Sequence, residues 1–201
     1  MPLTFEHLDE HTRQLMLLEF TADASVRALY FSPRLSVRGR IRYAVQMGTA
    51  IRNGTPDQLM VELNAPGILE ESATSRRSRR SSAAARIAEE EFNRYYMRAV
   101  CRRALEEGIE AVEVSRSIHA RIGRRRIEPV IGKLLPARSL LAELRSHLEL
   151  GTILGIEEEL ARFLTVRLPR ARRRRHETSE MHSREEIETM EAGSSGLGRR
   201  T

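Results

Sequence analysis

The stretch AAARIAEEEFNRYYMRAVCRRALEEG, residues 83–108, runs directly into IEAVEVSRSI, residues 109–118, and this junction decides the fold. In the first segment Phe92, Tyr96, Ala99, Val100 and Ala104 recur at steps of three and four, which puts them on one side of a helix. Arg94, Arg98 and Arg102 recur four apart on the other side, and Glu90 and Glu106 extend the row, as a solvent-facing stripe of spaced ion pairs would. Gly108 ends the helix, because glycine takes positive φ without strain. The period then drops to two. Val112, Val114 and Ile118 face one way, with Arg116 interrupting them, and Glu113, Ser115 and Ser117 face the other, so a half-buried strand is expected. A long helix followed by a short strand makes the chain α+β and helix-dominated, with several helices and a small sheet.

Toward the N-terminus, residues 72–86 (SATSRRSRRSSAAAR) hold five arginines, five serines and no acid. No apolar period precedes Ala83, so residues 72–82 read as an Arg/Ser-rich loop between an N-terminal helical half, 1–71, and an α+β half of the same domain, 83–169. A helix is expected over 9–22, with Asp9 as N-cap and Leu8, Leu15, Leu18 and Ala22 on its apolar side. Residues 28–36 read as a short strand that turns at Pro33. Residues 37–53 carry Ile41, Ala44, Val45 and Gly48 at helical spacing, and Asn53-Gly54 stops them. Thr55-Pro56-Asp57-Gln58 combines an N-cap, a first-turn proline and a capping-box glutamine, and starts a helix through Leu59, Met60 and Leu63.

Toward the C-terminus, Gly123-Arg-Arg-Arg126 reads as a basic turn, and Pro136 opens a helix with Leu140, Leu141, Leu144 and Leu148. Glu157, Glu158 and Glu159 suit the first turn of another helix, and Phe163–Leu168 suits a last strand. Beyond Pro169 few large apolar side chains remain, so 170–201 is expected to be a disordered, arginine-rich tail.

Composition sets the class. Of 34 basic residues among 201, all but Lys133 are arginine, and against 28 acids they give a net charge of +6. With 40% hydrophobic residues the chain can build a core, while its single cysteine, Cys101, excludes a disulfide-stapled scaffold. Neither a signal-peptide pattern nor an apolar run of membrane-spanning length is visible, and a cytoplasmic location is expected.

Several motifs are tempting. His7-Leu-Asp-Glu10-His11 has the H-x-x-E-H spacing of a metal-dependent hydrolase, but it straddles the expected helix start and lacks a third ligand. Cys101 and His119 could pair as nucleophile and base, but Cys101 falls inside the long helix among apolar residues and reads as packing. Glu89–Glu91 and Glu157–Glu159 are consecutive, so neither triplet converges on one ion. Both read as dipole compensation near helix starts. No cofactor and no catalytic residue is expected.

The strongest functional signal is three acid-free arginine clusters: Arg76, Arg77, Arg79 and Arg80; Arg116, Arg121 and Arg124, Arg125 and Arg126; and Arg170 with Arg172, Arg173, Arg174 and Arg175. Guanidinium forks suit phosphate, while no base-reading module accompanies them. The expected function is a small, non-catalytic basic protein that contacts nucleic acid backbone without sequence preference, as a subunit of a larger assembly, with Arg125 and Arg173 at the centre of the contact. The alternative is a structural or adaptor subunit whose arginines meet acidic protein surfaces.

Overall fold

The computed structural model describes residues 5–70, 77–117, 124–146 and 150–169, with the side chains of 77–82, 124–125 and 158–159 outside the description. All of these belong to one unit, Met1–Pro169. The expected tail, 170–201, lies outside the described residues.

Three capped helices lead. In α1 (Glu10–Ser25) the Asp9 carboxylate accepts the Thr12 amide at 2.9 Å, as the sequence predicts for an N-cap. In α2 (Val37–Asn53) the Ser36 hydroxyl accepts the Gly39 amide at 2.9 Å. In α3 (Pro56–Leu63) both halves of the capping box form: the Gln58 amide donates to Thr55 Oγ1, and the Thr55 amide donates to Gln58 Oε1. Residues 28–36 form no strand. Their one ladder contact is an isolated bridge between Leu35 and Leu69.

The long helix, α4 (Arg77–Glu106), spans 30 residues, about 45 Å at 1.5 Å per residue. It starts earlier than the composition suggests, so Arg77–Ser82 are helical and the expected loop over 72–82 is corrected in that part. The reason is permissive chemistry: no glycine or proline occurs between Ile68 and Glu107, and arginine is a good helix former. From Glu91 to Cys101 every residue of α4 is buried. The helix is therefore central: α1 and α3, from the N-terminal half, and α6 (Ala137–Arg145) all pack on it.

The sheet has the order β2-β1-β3, all antiparallel, built from β1 (Ala111–Arg116), β2 (Leu134–Pro136) and β3 (Leu164–Arg167). Val112 lies opposite Leu135 and Val114 opposite Val166, so the period-two row of β1 faces the core, as expected. Gly132, at φ 83°, takes the chain into β2 and donates its amide to the Val114 carbonyl. Short helical turns connect the strands: α5 (Arg124–Ile127) with a 3₁₀ turn over Glu128–Val130, then α7 (Leu150–Leu154) and α8 (Glu158–Ala161). The fold class is thus helix-dominated α+β with a small sheet. Among the described residues, no helix is long and apolar enough to cross a membrane.

Two helices form where expected but turn a different side inward. In α1 the buried set is Thr12, Leu15, Met16, Glu19, Phe20 and Asp23, while Leu18 is exposed. In α2 the buried set is Gly39, Tyr43, Met47, Ala50 and Ile51, while Ile41 and Val45 face solvent. α2 is apolar on two sides, and the side carrying the larger residues, Tyr43 and Met47, packs inward.

Candidate interaction surface

Of the Arg94/Arg98/Arg102 row, Arg94 and Arg98 are buried and Arg102 is partly exposed. Arg98 is 1% exposed and Arg94 is 9% exposed, because α4 has neighbours on every side at this level. Arg98 donates to both oxygens of Asp23, at 2.6 and 2.9 Å, and through Nε to Glu19 at 2.9 Å. Arg145 of α6 donates to both Glu19 oxygens, at 2.6 and 3.0 Å, and Arg102 reaches Glu19 at 3.4 Å. Tyr95 donates its hydroxyl to Asp23 at 3.0 Å, and the Arg98 guanidinium lies over its ring. Burial alone would raise the Glu19 pKa, but the guanidiniums of Arg145 and Arg98 outweigh it and hold the carboxyl below its usual range. This network fastens α1, α4 and α6 together. Its buried carboxylates, Glu19 and Asp23, are each held by guanidinium partners, while Arg102 and Arg145 remain partly exposed at its edge.

The H-x-x-E-H residues separate. His7 precedes the Asp9 cap and so lies outside α1; its backbone amide donates to the Tyr96 hydroxyl. Glu10 accepts from Gln14, and His11 pairs with Glu106 at 3.2 Å. Among the described residues, no group of three or more His, Cys, Asp or Glu side chains could hold a metal ion. Cys101 is buried in the α4 core, where desolvation pushes its thiol up to about 12; His119 lies outside the described residues. Glu89–Glu91 sit well inside α4, so dipole compensation is not their role. Glu91 pairs with Arg94, Glu90 pairs with Arg86, and burial raises the Glu89 carboxyl.

The three arginine clusters fare unequally. Arg77, Arg79 and Arg80 fall in the first turns of α4, and Arg124 and Arg125 in α5. Arg116 closes β1 and pairs with Glu128, while Arg126 pairs with the exposed Glu157. Both are acid-free in sequence and acid-paired in space. Arg76, Arg121, Arg170 and Arg172–Arg175 lie outside the described residues.

A fourth cluster escaped the reading of the sequence. From Ala24 to Pro56 the chain carries six arginines and no acid: Arg27, Arg34, Arg38, Arg40, Arg42 and Arg52. All six are exposed, and none forms an ion pair with a described residue. The signal was the distance between Asp23 and Asp57, hidden because the arginines are spread out and not consecutive. Four of them lie on α2, beside the outward row Val37, Ile41 and Val45, which are 75, 73 and 71% exposed. Beyond Val45 a groove of about 510 Å³ runs between α2 and α3, lined in part by Thr49, Asn53, Gln58 and Glu62. No protein-family model, curated protein or solved structure matches the chain.

Proposed function

We propose that the protein is a non-catalytic adaptor, a subunit of a larger cytoplasmic assembly that binds an acidic protein surface through exposed arginines. The observation that carries this reading is the α2 face, where guanidiniums with no ion-pair partner among the described residues border an exposed apolar row. Phosphate attracts the former and has no use for the latter, whereas protein interfaces combine an apolar centre with a charged rim. The fates of the catalytic-looking residues support the same reading: Cys101 is core, and His7, Glu10 and His11 are used separately. The test is purification of the untagged protein with and without nuclease. An acidic protein retained in fixed ratio after nuclease treatment is expected. Loss of every partner on nuclease treatment would overturn the reading.

A second reading, contact with nucleic acid backbone, draws on the six unpaired arginines together with Arg76 and Arg170–Arg175. It requires steep salt dependence. Neutralising six to ten phosphates implies a loss of roughly 10³–10⁵ in affinity between about 50 and 200 mM salt. Fluorescence anisotropy on two unrelated duplexes across a salt series measures this. An absence of binding at low salt removes the reading.

A further inference from the structure

We infer that the outer face of α2 is the docking site for one amphipathic helix of a partner protein, apolar along its seam and carrying glutamate or aspartate along its flanks. The inference rests on the adaptor reading and names its site and the chemistry of its occupant.

Val37, Ile41 and Val45 stand one turn apart, so the row spans about 12 Å along the helix. All three side chains are β-branched and stiff at χ1, so docking them costs little side-chain freedom. A row only one residue wide matches the seam of a single helix. An interfacial membrane helix instead needs a broad face of bulky residues such as Trp, Phe and Leu, and the outward side of α2 has none of these.

Charge then selects the occupant. By helical position, Arg38 and Arg42 flank the row on one side and Arg40 on the other, with Arg52 continuing beyond Val45. The positive end of the α2 dipole lies at the same end as Arg38, Arg40 and Arg42 and adds to their field. A second copy of this chain would set these cations against their own kind. The α3 acids, Asp57 and Glu62, are outnumbered by the four arginines of α2 and form no ion pair with them; Glu62 accepts a hydrogen bond from Gln46 at 3.4 Å and keeps its charge. A helix with acidic flanks satisfies the arginines and covers the apolar row at once. The groove past Val45, with Thr49, Asn53 and Gln58 on its walls, offers neutral polar groups to the end of that helix, and Glu62 in the same wall disfavours an acid at that end.

The test uses the full-length protein and a fluorescein-labelled, three-heptad synthetic peptide with a leucine seam and glutamate flanks. The wild-type chain is expected to bind it. Affinity should fall at least about tenfold in Ile41→Ser/Val45→Ser, in Arg38→Gln/Arg42→Gln, and when the peptide's glutamates become glutamines. All substituted side chains are exposed, so unchanged melting temperatures confirm intact folds. Equal binding by the variants would overturn the site, and a nuclease-resistant acidic partner would still leave the adaptor reading standing. Failure of the wild type to bind the peptide would overturn the occupant. Sedimentation of the wild type, but not the variants, with phosphatidylserine vesicles would assign the face to a membrane and overturn it equally.

Discussion

Arg98 grips Asp23 with both terminal nitrogens, at 2.6 and 2.9 Å, across an interface that excludes water from the guanidinium. The pair joins residues 75 positions apart in the chain, so the N-terminal helix and the central helix are held together by an ionic contact inside the core.

Removing Arg98 alone leaves Asp23 buried without a guanidinium partner and takes one of three guanidiniums from Glu19, which keeps Arg145 and Arg102. Arg98→Ala is expected to cost about 3–5 kcal/mol, read from the urea midpoint. Replacing the group together, as Arg98→Met with Glu19→Leu and Asp23→Leu, should recover most of that loss, because Arg102 and Arg145 are partly exposed and can rehydrate. A triple variant no more stable than the single one would show that the ionic geometry itself is required.

Acid should destabilise the fold in two stages. Burial, with lesser charge effects, lowers the pKa of His7 below 6.5. The unfolded chain therefore takes up that proton first, and stability declines as pH falls through about 6.5. Asp9 and Glu19 follow. Partial burial would raise Asp9, but the Thr12 amide and Arg103 outweigh it and hold the carboxyl at about 2, and Glu19 is depressed by Arg145 and Arg98. Their contribution is full above the unfolded carboxylate range, about 4–4.5, and is lost as pH falls toward the folded values. Glu89, raised by burial, works in the opposite direction and softens this limb. Urea midpoints measured from about pH 8 to 3 should show both declines, and His7→Asn should remove the first.

Two glycines of α2 should respond oppositely to alanine. A Cβ on Gly39 would lie 2.0 Å from the Ile68 carbonyl oxygen, in backbone that cannot step aside cheaply. Gly39→Ala should therefore cost about 1–3 kcal/mol. At Gly48 the nearest atom is a Phe20 ring carbon at 3.5 Å, ordinary contact, so Gly48→Ala should stabilise by about 0.5–1 kcal/mol. Thermal melts of the two variants should shift in opposite directions.

Cys101 should be inert in the folded protein. With its thiol buried and raised to about 12, it should fail to react with Ellman's reagent in native buffer and react fully in guanidinium. Rapid native reaction would require an opening of α4.

Helix starts with complete caps were legible: Asp9 and the Thr55–Gln58 box announce themselves through local hydrogen-bond chemistry that tertiary context does not alter. The strand β1 was legible from its alternation, and β3 falls within the 163–168 segment expected to be a strand. β2, with three residues, is too short to show a period, and it exists because Gly132 turns the chain back beside β1. Helix orientation was the weak point. A row of arginines four apart signals an outer surface only when the opposite element offers no acids, and Glu19 and Asp23 are far from α4 in sequence. The outward turn of Ile41 and Val45 was hidden for the converse reason, since periodicity identifies an apolar row and cannot say which of two rows finds a partner. Among the proposed contact arginines, the pairing of Arg116 with Glu128 depends on how the connection between β1 and β2 folds, and that of Arg126 with Glu157 also on the connection between β2 and β3. The unpaired arginines of α2 needed only a count of acids over a wider window.

The central position of α4 also sets the order in which the molecule can be completed. A ribosome finishes α1, α2 and α3 before it has made the helix on which two of them pack. Until Glu106 has emerged, Phe20, Leu59 and Leu63 have no α4 to cover them, and the carboxylates of Glu19 and Asp23 wait in water for Arg98. The nascent chain therefore passes through an interval in which the apolar side chains of its N-terminal half lack their α4 partner, the kind of exposed surface that chaperones recognise. Slowing translation within residues 77–106 should lengthen that interval, while slowing it after Pro169 should not.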